Sequence, residues 1–221
     1  MAAGITTVTT TPVSAATPEC GPGCISIFSA ELGVYGDENF VEAVLGDGRA
    51  TVGQPVGVKP QSGTDPSQDF LPGGAPGVTD RASKVSDFFA GGLVSAEANS
   101  RYGHLNAVQQ MYAPFGEVTG MCVGVSRVAQ GEDLTLQPCD LPGRTVWIVY
   151  PAPGGPSPAY FAILNAATTD FDRPFAMHLP RREVRGGDPE LQMELRRLQY
   201  RTGEQVLPSR QLWGAAFGPR G

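Results

Sequence analysis

Residues able to do acid–base or nucleophilic chemistry are few in this chain, and they are scattered. Of 221 residues only 2 are histidine. His104 sits in "SRYGHLNAVQQ" and His178 in "PFAMHLP". Acyl transfer needs a nucleophile beside a base beside an orienting acid. The nearest serines, Ser100 and Ser126, stand in no supporting pattern, and there is no Gly-x-Ser-x-Gly elbow. Both histidines therefore read as solvated or capping residues. The 22 acids offer many carboxylate pairs for glycoside cleavage. Glu97, close in sequence to Tyr102 and His104, is the one acid that stands out. "GDGRATVGQ" lacks the Lys-Ser/Thr ending that holds phosphate and magnesium, and no dinucleotide fingerprint is present. The expectation is a protein without catalysis and without a cofactor, with a hydrolase as the third choice.

The cysteines carry the other chemistry. Cys20, Cys24, Cys122 and Cys139 form two close pairs, which suggests two disulfides. Cys122 and Cys139 flank "VGVSRVAQGEDLTLQP", a strand, a glycine-containing turn and a second strand with Leu134 and Leu136 facing inward. Their sulfurs can meet across that hairpin. A loop of this size contributes about 3 kcal/mol by chain entropy. "CGPGC" reverses within three residues through its glycines and proline. The spacings match no compact zinc pattern, so no metal is expected. Two disulfides imply an oxidising compartment, hence secretion.

Composition sets the elements that must position any site. Gly (29) and Pro (20) are abundant, and charged residues make up only 17%. Such a chain is short of long helices and rich in turns and short strands. A net charge of −6 argues against nucleic acid. The basic cluster Arg181, Arg182, Arg185, Arg196, Arg197 and Arg201 is interleaved with acids and reads as a salt-bridged surface. No apolar run approaches the ~18 residues of a membrane span. Residues 1–23, Thr/Ala/Pro-rich and nearly uncharged, read as a flexible leader of a mature secreted chain.

A repeat organises the rest. Pro142-Gly143-Arg144-Thr145-Val146-Trp147 lines up without a gap on Pro208-Ser209-Arg210-Gln211-Leu212-Trp213. The two tryptophans of the chain are the two that match. A third copy runs through "PVGVKPQSGTDPSQDF" and ends at Phe70. Each copy has an earlier strand: "CISIF" at 24–28, "MCVGV" at 121–125 and "YFAILNA" at 160–166. Each unit then reads as strand, turn, strand, loop and a buried aromatic. One such unit cannot bury its apolar face alone, whereas three around an axis can.

These residues resemble the R-type, or ricin-B-like, β-trefoil family. That family carries Gln-x-Trp near the end of each repeat and a Cys-Val/Leu start joined by a disulfide to a later Leu-x-x-Cys. Here stand "CVGV" at 122–125, "LTLQPC" at 134–139 and Gln211-Leu212-Trp213 in full, with Gln68-Asp69-Phe70 and Thr145-Val146-Trp147 as worn versions. The resemblance implies an all-β, β-trefoil-like core: repeat 1 over 24–71, repeat 2 over 118–157 and repeat 3 over 158–217. Phe70, Trp147, Gln211 and Trp213 would then be structural.

Residues 72–117 fall outside the repeat and read as an α-helical insertion. Val85, Phe88 and Phe89 make one helix face, and Ser95 caps a second helix. Leu105, Val108, Met111 and Tyr112 continue that helix until Pro114 stops it. "RREVRGGDPELQMELRR" reads as an extended hairpin in the last unit.

The resemblance also implies a lectin-like module that binds a glycan. A binding repeat of the family has an Asp just after its Cys-Val start. Here that position holds Gly124, with Asn165 and Ser29 in the corresponding regions. Unit three keeps the best polar and aromatic set, so Tyr160, Asn165, Asp170, Phe171 and Asp172 are the candidate ligand residues. The alternative is a protein-interaction or structural module with decayed sugar sites, a secreted-assembly subunit or an inhibitor. An exposed apolar stripe of Phe88, Phe89, Met111 and Tyr112 would mark it.

Overall fold

The structure is a computed structural model describing residues 20–21, 23–33, 40–77, 83–152, 160–180, 190–200 and 206–218. Most of the expected leader, part of the expected last hairpin, and Arg181, Arg182, Arg185 and Arg201 lie outside the described residues. In chain order the strands are β1 (Ile25–Ser29), β2 (Phe40–Val44), β3 (Val56–Pro60), β4 (Phe70–Gly73), β5 (Ser83–Lys84), β6 (Asn106–Tyr112), β7 (Met121–Gly124), β8 (Thr135–Pro138), β9 (Trp147–Pro151), β10 (Phe161–Asn165), β11 (Phe175–His178), β12 (Leu191–Gln192), β13 (Glu194–Arg197) and β14 (Trp213–Phe217). The helices are short: α1 (Ala30–Gly33), α2 (Val85–Ala90) and α3 (Ala96–Tyr102). The protein is predominantly β, as its glycine and proline content requires.

Antiparallel pairing closes β1, β4, β6, β9, β10 and β14 into a ring: β1 on β4, β4 on β6, β6 on β9, β9 on β10, β10 on β14 and β14 back on β1. Between the ring strands the chain leaves for the hairpins β2/β3, β7/β8 and β11/β13. The hairpins also touch one another. β12 pairs with β3, and isolated bridges join Pro55 to Thr135 and Asp133 to Glu194.

The aromatics that end the units meet inside this ring. Phe70, Trp147 and Trp213 are each at most 1% exposed and share one core cluster with Ile27, Val58, Leu136 and Met177. Each large side chain buried there stabilises the fold by about 2–3 kcal/mol. A buried indole N–H needs an acceptor. Trp147 Nε1 donates to Val123 O at 2.8 Å, and Trp213 Nε1 donates to Met177 O at 3.3 Å. Phe70 has no such group. Its neighbour Tyr112, 5.6 Å away between ring centroids, donates instead to Gly48 O at 2.7 Å.

One expected element is corrected. Leu105, Val108, Met111 and Tyr112 do not continue the second helix. α3 ends at Tyr102, and Asn106–Tyr112 form β6, a ring strand between β4 and β9. β6 is buried on both faces, so its apolar residues do not alternate and mimic a helical spacing. The counterpart of β1 and β10 in the middle unit is therefore β6, while Met121–Gly124 is the first strand of that unit's hairpin.

The two expected helical starts are present. α2 carries Val85 and Phe88 inward. Ser95 caps α3 by accepting a hydrogen bond from Ala98 N at 3.1 Å. Both helices pack on the outer face of the ring. Val85, Phe88, Ala98 and Tyr102 cluster with Ala107, Ile148, Ala162 and Leu164, the strand positions opposite those that face the interior. Cys20–Cys24 and Cys122–Cys139 are bonded, with Cα–Cα separations of 5.9 and 4.9 Å. No helix among the described residues is long and apolar enough to cross a membrane.

Candidate functional site

A cavity of about 560 Å³ opens where four stretches of chain converge. The C-terminal end of α3 and the turn after it supply Arg101, Tyr102, His104 and Leu105; the end of β9 supplies Tyr150 and Pro151; the β10–β11 loop supplies Phe171, Asp172 and Pro174; Leu198 and Tyr200 follow β13. Strand alternation places Tyr150 there. Trp147 and Val149 face the ring interior, so Ile148 and Tyr150 face outward toward α3.

The aromatic wall is set by mutual packing. Tyr102, 4% exposed, lies edge-on to Tyr150 at 6.3 Å and to Phe171 at 5.9 Å. Its hydroxyl donates to Phe171 O at 3.4 Å. Burial raises the Tyr102 phenol, and Tyr150 raises it further. Burial, then a hydrogen bond with Tyr150, pushes the Tyr200 phenol up to about 12. Both phenols thus stay neutral across the physiological range and act as donors and acceptors together. Arg101, His104 and Asp172 are exposed at the opening.

The β10–β11 loop is braced by side chains that point away from the cavity. Asp170 Oδ1 accepts from Arg173 N at 3.1 Å, and Asp170 Oδ2 pairs with Arg197 Nη1 at 2.6 Å. Arg197 also donates to Arg173 O at 2.7 Å and lies 4.6 Å over the Phe175 ring. Thr168 Oγ1 accepts from Phe175 N at 3.3 Å.

Of the five candidate ligand residues read from the sequence, the structure brings Phe171 and Asp172 to the cavity and places Tyr160, Asn165 and Asp170 elsewhere. Asp170 holds the loop. Asn165 is fully buried: its Nδ2 donates to Arg144 O at 3.2 Å and its Oδ1 accepts from Ala167 N at 3.1 Å. That amide ties two turns together and has no free face for a ligand. Tyr160 packs edge-on against Phe28 at 6.1 Å, outside the cavity lining. Glu97 is exposed in the first turn of α3 and does not line the cavity.

The histidines divide. His104 is exposed at the cavity, as a solvated residue should be. His178 departs from the expectation of a solvated or capping residue: it is only 8% exposed, on β11. Its Nδ1 finds no hydrogen-bond partner among the described residues. Burial, then the nearby Arg196, pulls it down to about 4, so it is neutral. Among the described residues no cluster of His, Cys, Asp or Glu is placed to hold a metal ion.

Gln68 and Gln211 play one role twice. Gln68 Nε2 donates to Pro60 O at 2.7 Å and its Oε1 accepts from Ser62 N at 2.9 Å. Gln211 Nε2 donates to Arg197 O at 3.1 Å and its Oε1 accepts from Gln199 N at 3.0 Å. Both glutamines therefore clamp the end of their own hairpin. Arg101, Tyr150 and Tyr200 were not visible as site residues. Tyr150 could have been found from its place three residues after Trp147 in a strand; Tyr200 carries no local signal.

No family model matches the chain, and no curated protein matches it in sequence. Among solved structures, the chain is similar, at a TM-score of 0.48 and 6% identity, to a structure described as the structure and mode of action of a mosquitocidal holotoxin, over 88% of this chain and 16% of that one. It is similar, at a TM-score of 0.48 and 13% identity, to the S. cerevisiae protein O-mannosyltransferase Pmt1–Pmt2 complex bound to the sugar donor, over 89% of this chain and 25% of that one. The chain thus spans a quarter or less of the length of either structure.

Proposed function

We propose that this protein is a secreted, non-catalytic carbohydrate-recognition module on a β-trefoil frame, and that the cavity beside α3 receives the glycan. The observation that carries the reading is the cavity wall. Tyr102, Tyr150, Phe171 and Tyr200 line it together with Arg101, His104 and Asp172. A sugar offers apolar C–H faces that stack on aromatic rings and hydroxyls that bond to phenols and charged groups. Among the described residues the lining contains one carboxylate, Asp172, whereas cleavage of a glycosidic bond generally uses a pair, which favours binding over hydrolysis.

The β-trefoil part of the proposal is supported by the ring of β1, β4, β6, β9, β10 and β14, the three hairpins, and the shared core of Phe70, Trp147 and Trp213. The proposed site shares Phe171 and Asp172 with the unit-three site that the resemblance implies, but not the buried Asn165, which stands in the region where the family has an Asp. Secretion is supported by the two disulfides, which persist in oxidising compartments. The protein-interaction alternative would be favoured by an exposed stripe of Phe88, Phe89, Met111 and Tyr112. Phe88 and Tyr112 are at most 1% exposed, so that stripe does not form.

The test is a glycan array probed with the oxidised protein, with Tyr200→Ala and Phe171→Ala as cavity variants. Asn165→Ala and Tyr160→Ala serve as controls outside the cavity. Specific binding lost in the first pair and kept in the second is the expected result. A blank array with folded protein overturns the reading in favour of a protein partner.

A further inference from the structure

The interior of the ring is not filled to its end. Its side chains stack in layers, as strand alternation requires. One layer holds Phe70, Trp147 and Trp213. Two residues further along each of those strands come Pro72, Val149 and Ala215, and these line a second cavity of about 220 Å³. β1, β6 and β10 contribute to the same cavity, chiefly through Ile27, Val108 and Ile163. In β1, β6 and β10 the lining residues come early, before the chain leaves for a hairpin. In β4, β9 and β14 they come late, after it has returned. The cavity is therefore at the end of the ring opposite the hairpins, walled by strands on every side.

We propose that this open end is a second binding site, distinct from the aromatic cavity, which takes a small neutral apolar molecule of about the size of toluene. Three observations carry this. First, the size is right. A cavity of about 150 Å³ lined by aliphatic side chains stays dry and binds benzene, and this one measures about 220 Å³. Second, among the described residues no Lys, Arg, His, Asp or Glu lines it, so none of them offsets the cost of bringing a charge inside. Its buried polar wall residue, Gln110, is already engaged: its side-chain amide lies against the Glu42 carboxyl group, 2.6 Å from Oε1 and 3.2 Å from Oε2. Third, access excludes larger partners. A helix about 10 Å across cannot enter a ring already occupied by side chains from all of its strands, whereas a single ring-sized molecule can pass Phe217, 69% exposed at the rim.

The experiment titrates toluene into the oxidised full chain with methyl groups labelled for NMR, and benzoate as the charged counterpart of similar size. Saturable shifts are expected at Ile25, Ile27, Val108, Val149 and Ile163, and none with benzoate. Ala215→Phe fills the cavity and should weaken toluene binding at least about tenfold. Phe217→Ala removes only an exposed rim group, so it keeps the fold and should weaken binding several-fold. Absence of saturable toluene shifts in the wild-type protein overturns the proposal. So does an equal response to benzoate, or unchanged binding in a folded Ala215→Phe variant. Should Ala215→Phe not fold, the wild-type titrations and Phe217→Ala decide.

Discussion

Gln109 Nε2 donates to Thr145 Oγ1 at 3.0 Å, inside the middle unit, where the other two units carry a glutamine of their own. Thr145 in turn donates to Cys139 O at 3.0 Å, and Gln109 reaches that same carbonyl. Gln68 and Gln211 perform this service for Pro60 and Arg197. In the middle unit the amide has moved from the loop before the aromatic to the neighbouring strand β6, and a threonine fills the vacated place. Both side chains are buried, Thr145 fully and Gln109 at 6% exposure. Gln109→Ala should therefore destabilise by about 1–3 kcal/mol, the cost of leaving buried acceptors unpaired. Thr145→Gln alone should overpack, and the double variant Gln109→Ala/Thr145→Gln should recover most of the loss. A double-mutant cycle of urea midpoints reads the coupling. Strict additivity would show that the two residues do not share one role.

Stability should depend on pH through two buried groups with opposite signs. Burial pushes the Glu42 carboxyl up to about 8 from its ordinary 4.5. Between those values the folded state holds a proton that the unfolded state has lost. Stability therefore falls as pH rises through that window, by about 1.4 kcal/mol for each unit. His178 is pulled down to about 4 from 6.5 by burial and by Arg196, with Arg210 in the same sense and Glu194 and Glu31 opposing. Between 4 and 6.5 the unfolded state is the one that binds the extra proton, so this contribution is lost as pH falls. The terms oppose each other from about 4.5 to 6.5, and Glu42 alone acts above that range. Urea midpoints should be flat there and decline toward pH 8. Glu42→Gln should abolish the decline; a persisting decline in that variant would assign it to another group.

What the sequence made legible was local, and what it hid was relational. Cys122–Cys139, the Ser95 cap and the α2 face each follow from residues within one element and its neighbours. The terminal aromatics were legible because a core residue repeats with its unit. β6 was misread because a strand covered on both faces loses the alternation that identifies a strand. The aromatic cavity was half visible. Phe171 and Asp172 lie in one loop, but Tyr102, Tyr150 and Tyr200 reach them from three other places in the chain, α3, β9 and the stretch after β13, that only the tertiary fold brings together. Gln109 was invisible for the same reason, since its partner stands 36 residues away.

Gly57 marks where the third unit touches the first. A Cβ there would sit 2.1 Å from Leu191 O and 2.8 Å from Gln192 Cα, both backbone atoms of β12. Gly57→Ala must push β12 off β3, which should cost about 3 kcal/mol and expose Leu191. Gly53, with φ +84° and open space around its Cβ position, gives the contrast. Gly53→Ala should cost about 1 kcal/mol through backbone strain alone. Thermal melts of the two variants rank them. A Gly57→Ala protein as stable as wild type would mean that β12 is free to shift.

Asn165 plays a structural part within the unit that also supplies Phe171 and Asp172 to the proposed site. Its amide joins the turn before Trp147, through Arg144 O, to the turn after β10, through Ala167 N. Asn165→Ala takes the side-chain acceptor from Ala167 N and leaves Arg144 O with Val125 N alone, at a half-buried place, which should cost about 1–3 kcal/mol. Asn165→Asp keeps an acceptor for Ala167 N but sets a carboxylate against Arg144 O, and should be worse at neutral pH than at pH 4. Neither change touches the cavity lined by Phe171 and Asp172. Glycan binding by folded protein should therefore keep its affinity while the melting temperature falls. Loss of binding without loss of stability would return Asn165 to the site, and with it the reading of unit three as the sugar-binding repeat.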